Sequence, residues 1–445
     1  MDAALTASRV LMGDSLGFHI IFVLFSLTLP ILVVWFEFMG IRRKNADYIK
    51  TAKLWSKIAA ILVVAGVISG TVVALQMSLV WPGILKFGGK VIGLPFMYET
   101  YAFIIEAVFL GLYLATWNSK RVSQWLHWWF GIGIVVGSTL SAFAITSINA
   151  WMNDPTGFTI VGGKLTNVDV VGAMFSRASL IEFIHSMPGY YLAASLAIAA
   201  IYGFKIIGTK LKNRANKSTV NDLMIIRKLM IFATVFMVVT VIAADITGKY
   251  LATHQPAKLA AIEAVPNTTS NAPFVFGGSL DVDGNMTGAR IEVPGLLSWL
   301  AGGSTNYTVT GLNDVPTADR PPNWVHDLFT IKLSLVGVVV ALMVAYFALL
   351  KWRPKWLVKN TWLAFLGFAG LLGLVIVELG WMITEIGRQP WAVTGYVTTT
   401  QAVIKSQDIT NFGYIFPLAY VLLIIVTLLA LRKVVRDNSR KERTA

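Results

Sequence analysis

The sequence contains no cysteine. That absence excludes disulfides, thiolate-bound iron–sulfur clusters, thiolate-ligated zinc and covalent c-type haem attachment. Any metal must be held by His, Met, Lys or a carboxylate. Charge is also scarce. Asp, Glu, Lys and Arg make up 13% of the 445 residues, about half of what an ordinary soluble domain carries. What fills the chain is apolar: 56% of residues are hydrophobic and mean hydropathy is +0.67. Long apolar runs recur, so the expected fold is an all-α integral membrane protein, one helical bundle rather than a string of soluble domains.

Nine segments are long and apolar enough to span a bilayer, roughly 15–40, 57–80, 93–117, 126–150, 180–204, 228–246, 327–350, 361–385 and 413–431. The first has no basic stretch before it and exceeds a signal-peptide core, so it reads as a retained helix. Most of the 37 Lys and Arg residues fall after odd-numbered spans and in the C-terminal tail. The positive-inside bias then places the N-terminus outside and the C-terminus in the cytoplasm. This placement accounts for the net charge of +14, and no nucleic-acid partner is expected.

One connection differs. Residues 247–325 form a long external stretch rich in Gly, Pro, Asn, Thr and Asp. Stretches of this length are usually functional or disordered. Its HQPAKLAAIEA piece reads as a short helix, and GGSLDVDGNMTGARIEV as a small hairpin. No internal repeat or inverted half-to-half similarity is visible, which weakens a secondary-transporter reading.

Ionisable groups inside a bilayer are costly and are functional candidates by default. Here they are His19, Glu99, Glu106, Glu182, His185, His326, Lys332, Glu378 and Glu385. Topology puts His19, Glu99, His185, Lys332 and Glu385 at similar depth near the outer face. Each also has an ordinary reading. A lone His is often a hydrogen-bonded packing residue. His127, beside Trp125, Trp128 and Trp129, reads as part of an interfacial belt, and His254 and His326 border the external stretch, where solvation is expected. Glu99 and Glu106 stand two helical turns apart and so face the same way. Glu378 and Glu385 repeat that spacing, with Trp381 between them. Two such pairs, two intramembrane His and a Lys in one bundle favour a redox or proton-conducting site.

The motifs then carry a family resemblance. Gly387-Arg388-Gln389-Pro390-Trp391, preceded by Trp381 and Glu385, resembles the GRQPW signature of subunit I of cytochrome bd-type quinol oxidases. Four further stretches agree in order: GFHIIF around His19, MYETYAFIIEAVFLG around Glu99 and Glu106, GSTLSAF with NAWMNDP in the fourth span, and QPAKLAAIEA in the external stretch. The resemblance covers nearly the whole chain.

The resemblance implies two b-type haems and a third haem, d-type or b-type, near the outer face of a prokaryotic cell membrane. It implies oxidation of membrane quinol coupled to reduction of dioxygen to water, with protons taken from the cytoplasm. A second oxidase subunit is the implied partner, and a small single-helix subunit a further one. By motif, His19 and Glu99 resemble axial groups of one haem of a close pair and Glu385 the ligand of the other; which of the two binds oxygen differs within the family. His185 resembles the ligand of the low-spin haem. Trp381 lies where an aromatic bridge between haems is expected, and Arg388 and Trp391 belong to the cofactor-binding signature, with Arg388 placed for haem propionates. Lys258 and Glu263 match loop residues implicated in quinol binding. Glu106, about 10 Å along the helix from Glu99, could pass protons together with Ser141.

These expectations divide the chain into spans 1–6 with the haem-binding core (1–246), the quinol-binding stretch (247–325), and spans 7–9 with GRQPW and the cytoplasmic tail (326–445). Two departures stand out. The external stretch is of the family's short kind, and Lys332 stands where the family carries a Met ligand, after His326, Phe329 and Ile331. Two other classes stay open at this point: a related haem protein serving another donor or acceptor, and a cofactor-free proton-coupled transporter. A haem spectrum separates the second from the rest.

Overall fold

The computed structural model describes residues 3–211, 217–281, 284–404 and 409–444. The long helices are α1 (Ala3–Arg43), α2 (Ala46–Leu79), α3 (Pro82–Thr116) and α4 (Gln124–Asn153), followed by a hairpin of β1 (Thr159–Val161) and β2 (Lys164–Thr166) and the short α5 (Val170–Met174). Next come α6 (Arg177–Leu211), α7 (Lys217–His254) and the short α8 (Pro256–Ile262). Strands β3 (Phe274–Leu280) and β4 (Met286–Val293) precede α9 (Leu296–Gly302), α10 (Val325–Trp352) and α11 (Asn360–Ile386). The chain ends with β5 (Trp391–Val393), β6 (Val397–Thr398), α12 (Thr399–Ala402) and α13 (Ile409–Thr444). Among the described residues, nine helices are long and apolar enough to cross a membrane, at the positions the sequence led us to expect. A helix is the answer to hydrocarbon because it satisfies every backbone N–H and C=O within one segment. Most of the helices overrun their apolar spans. At one such extension Asn45 caps α2, its side chain accepting from the Asp47 amide at 2.9 Å.

The chain divides into two compact units. The first comprises Met1–Asn149, Thr156–Ser176 and Thr400–Ala445. In it α1 packs against α2 and α13. Phe18 stacks on Tyr420 at 5.2 Å, and Gln76 donates to Ser15 across 2.7 Å. Helix α4 approaches α3 so closely that a Cβ on Gly137 would fall 2.7 Å from the Glu106 amide nitrogen. Small residues permit this kind of backbone-to-backbone packing in lipid, where hydrophobicity alone drives no association.

The second unit comprises Ala150–Pro155 and Arg177–Thr399. Here α6 lies between α7 and α11, and α10 beside α11. The long connection is not a loose loop. It folds around its own core of Leu259, Ala260, Ala261, Leu280, Leu297 and Val309, which continues onto Val325 and Ile383. The expected hairpin is present, β3 pairing antiparallel with β4, while Val282 and Asp283 at its turn lie outside the described residues. His326 corrects an expectation: it is buried rather than solvated. Its ring nitrogens sit 2.8 Å from the Ile262 carbonyl and 3.2 Å from that of Gly277, so one side chain pins both α8 and β3 to the start of α10. His254 is exposed as expected, stacked on Tyr250 at 4.1 Å.

Candidate functional site

In the first unit, His19 is held by α2. Its Nδ1 lies 2.9 Å from the Ser69 hydroxyl, and that hydroxyl donates its single proton to the Gly66 carbonyl at 3.0 Å. Ser69 can therefore only accept from His19. The proton must sit on Nδ1, which leaves the Nε2 lone pair free for a metal, the arrangement in which a hydrogen-bonded neighbour orients a ligating imidazole. The neighbouring turn of α2 leaves room for the ring, because a Cβ on Gly70 would come within 2.9 Å of His19 Cε1. On α3, Glu99 is half-buried and Glu106 buried. Ser141 is buried on α4, one turn beyond Gly137, where that helix touches Glu106. No hydrogen bond joins Glu106 to Ser141 among the described residues, so a simple Ser–Glu staple is not what holds the two helices together.

The second unit gathers the remaining candidates. Lys332 of α10 points at α11: a Cβ on Gly380 would lie 3.2 Å from its Nζ. It is within electrostatic reach of His185 on α6, whose Nδ1 is buried without a hydrogen-bond partner. Trp381 is half-buried, and its indole N–H donates to the Tyr190 hydroxyl at 2.5 Å. One turn on, Glu385 pairs with Arg388. The Arg388 guanidinium is buried, yet its Nε and Nη1 have no partner, and neither has Glu378 Oε1. Buried polar atoms are rarely left unpaired. These unpaired donors in a Cys-free site suit an anionic cofactor edge such as a propionate. Among the described residues no three His, Asp or Glu side chains cluster to hold a bare metal ion, which fits a porphyrin that brings four nitrogens of its own. On these observations the residues fit haem.

The short helix α8 brings Lys258 beside the signature turn. Its stem runs past Gly387, where a Cβ would come within 3.1 Å of Lys258 Cγ, and its ammonium donates to Asn153 at 2.8 Å. Trp391, half-buried, opens β5 after the cis Gln389–Pro390 bond, and Thr394 ties the turn to the end of α4 through the Met152 carbonyl at 3.0 Å. Lys258 and Glu263 are each only 7% exposed and are not paired with each other. That removes the surface ion pair as an explanation for them. Burial, reinforced by the Arg388 cation and opposed by Glu182 and Glu385, brings the Lys258 ammonium down to about 8. Burial alone pushes the Glu263 carboxyl up to about 8, and its Oε2 has no partner.

Sequence reasoning passed over Asn153 and Tyr190, which position Lys258 and Trp381. Asn153 lies inside the NAWMNDP stretch, so its signal was at hand. It also misread His127. That residue is not an interfacial belt member but is buried, with its Nδ1 2.6 Å from Glu37, a carboxylate absent from the candidate set.

Comparison with known proteins follows the same direction. Residues 7–439 match the family described as cytochrome bd terminal oxidase subunit I. The chain is similar to a putative cytochrome bd menaquinol oxidase subunit I of Bacillus subtilis, with 31% identity over 94% of each chain. It is also similar to that organism's cytochrome bd ubiquinol oxidase subunit 1, with 27% identity over 93% of this chain and 88% of the relative. Among solved structures, the bd oxidase from Geobacillus thermodenitrificans superposes with a TM-score of 0.90 at 34% identity, covering 98% of this chain and 99% of the other.

Proposed function

The chain belongs to the cytochrome bd terminal oxidase subunit I family, and from that premise we propose how its own residues carry out quinol oxidation and supply dioxygen reduction. It is a multi-pass protein of the bacterial cytoplasmic membrane and the haem-bearing subunit of a quinol oxidase that works with a subunit II. In our reading the cofactors are two b-type haems and a third of d or b type, and a small single-helix subunit completes the complex. The N-terminus faces outward and the C-terminus the cytoplasm. Residues 1–246 carry most of the haem core, 247–325 bind quinol, and 326–445 add the GRQPW turn.

Bound haems supply the one-electron steps and the dioxygen chemistry. His19, through its free Nε2, and Glu99 would hold one of these groups, Glu385 a second, and His185 the low-spin one. Arg388 and Trp391 hold the cofactor edge, and Trp381, fixed by Tyr190, keeps an aromatic ring in a set orientation. Lys332 would be the second group toward the His185 haem, because it stands at the sequence position where the family carries a Met ligand and lies within electrostatic reach of His185. An amine ligates only as the free base, which a buried Lys can supply. Oxidation of quinol releases two protons with its two electrons. Lys258, oriented by Asn153, donates to a ring oxygen, and Glu263 accepts a proton in its ionised form. Glu106 and Ser141 move protons along α3 and α4 toward Glu99.

The observation that carries the quinol assignment is the burial of Lys258 on α8 and of Glu263 just past its end, the two unpaired with each other and Lys258 beside Gly387. Replacing either with Ala should lower kcat/KM for quinol by about tenfold or more while haem stoichiometry stays intact. Quinol kinetics and pigment content, measured on the same preparations, decide it. Wild-type kinetics in both variants would remove the assignment.

A further inference from the structure

Three helices of the first unit bring together a carboxylate, a phenol and an imidazole that the mechanism above does not use. Glu37 of α1, Tyr113 of α3 and His127 of α4 are 2%, 0% and 5% exposed. His127 Nδ1 lies 2.6 Å from Glu37 Oε1, and Tyr113 donates to Glu37 Oε2 at 2.6 Å. On its far side, His127 Nε2 lies 2.9 Å from the Tyr113 backbone carbonyl. A carbonyl only accepts, so Nε2 carries a hydrogen. One further proton then lies on the short axis between Nδ1 and Oε1. The group as a whole is neutral, with one exchangeable proton shared between the imidazole and the carboxylate. Aromatic rings enclose it: Tyr113 packs on His127 at 4.2 Å and Trp117 at 4.4 Å. From α2, Ser56 accepts from the Trp117 indole at 3.1 Å, and Lys53 brings a cation 5.8 Å above the Trp117 ring.

A staple between three helices does not require charge, since a buried ion pair is often matched or bettered by apolar side chains of similar volume. The position of the cluster says more. Tyr113 follows Glu106 by the same two turns that separate Glu106 from Glu99, so the three share one stripe of α3 at intervals of roughly 10 Å. Helix α4 runs along that stripe. A Cβ on Gly131 would come within 3.0 Å of the Tyr113 ring, and one on Gly137 would meet the Glu106 backbone. The pair lies at the end of the file where α1 and α3 finish and α4 begins.

We propose that Glu37, His127 and Tyr113 form a proton-holding station that loads from the aqueous side at this end of the helices and passes its proton to Glu106. The proposal rests on the proton path through Glu106 given above. In each cycle the N–H bond at His127 Nδ1 breaks and an O–H bond forms on the Glu106 carboxylate, relayed through water across the gap. Neutral His127 remains beside the Glu37 carboxylate until a proton from the aqueous phase restores the shared one. No electron moves at the station.

The test uses the complete haem-loaded complex, fully reduced and mixed with oxygen, with proton uptake followed by a pH-indicator dye. Glu37→Gln keeps the shape but cannot hold the carboxylate, and should slow uptake about tenfold or more with the haem spectrum unchanged. Glu37→Asp should recover much of the rate. Tyr113→Phe preserves the ion pair and the packing, and should alter the pH profile of uptake; this variant keeps the test open if Glu37→Gln does not assemble. Wild-type uptake in Glu37→Gln, or an unchanged profile in Tyr113→Phe, overturns the station. Glu106→Gln separates the two failures. If it too takes up protons at the wild-type rate, the path itself is wrong; if it is slow while Glu37→Gln is not, only the station falls.

Discussion

Two buried clusters, the Glu37–Tyr113–His127 group of the first unit and the groups around Arg388 in the second, treat polarity differently. In the first, every polar side-chain atom of Glu37, His127 and Tyr113 is paired within the chain. In the second, Arg388 keeps two nitrogens without partners, and His185, Glu263 and Glu378 each keep one such atom. Folded proteins rarely leave buried polar atoms unpaired, so the contrast separates groups that finish their bonding on folding from groups reserved for another molecule. It also separates what each can do. A closed cluster can hold and release a proton without a ligand, whereas an open one is completed by what binds there.

The strongest challenge to this contrast is to remove an anchor of the open set. Glu385→Ala should lose or alter a haem, with oxygen consumption falling about 10–100-fold, because both the carboxylate and the partner of Arg388 go together. Pigment extraction and the visible spectrum measure it. Full haem occupancy with normal activity would mean that Glu385 is no ligand.

A smaller effect concerns the quinol end. With its carboxyl pushed up to about 8 by burial, Glu263 is protonated below that pH and a carboxylate above it. Only the carboxylate accepts a quinol proton. Turnover should therefore rise as pH increases through about 8 and fade as pH falls below it. Glu263→Gln should flatten this limb, and a limb that persists in the Gln variant would assign it to another group.

Smallest in rate, yet sharpest in signature, is Lys332→Met. Exchanging an amine for a thioether beside His185 should change the near-infrared magnetic circular dichroism of the low-spin haem, or shift its midpoint potential, with haem content preserved. Spectra and potential identical to the parent protein would make Lys332 a bystander.

Much of this was legible beforehand. The spans, the GRQPW turn and the short helix that carries Lys258, ending one residue before Glu263, all declare themselves within short windows of sequence. The character of the 247–325 stretch was not, because its core is assembled from residues as distant as Leu259, Leu297 and Ile383. His326 looked like a boundary residue and is the pin on which that core turns. His127 sat among tryptophans that signal an interface, while its partner Glu37 lies 90 positions earlier.

Membrane insertion and helix placement were determined by the sequence itself, because the free energy of moving apolar side chains into hydrocarbon accumulates along the chain and depends little on what packs alongside. Which charges are closed and which stay open was decided only by the tertiary structure. A hydrogen bond needs two atoms within about 3 Å, and for Glu37 with His127, or Lys258 with Asn153, that proximity exists only after separate helices have packed together.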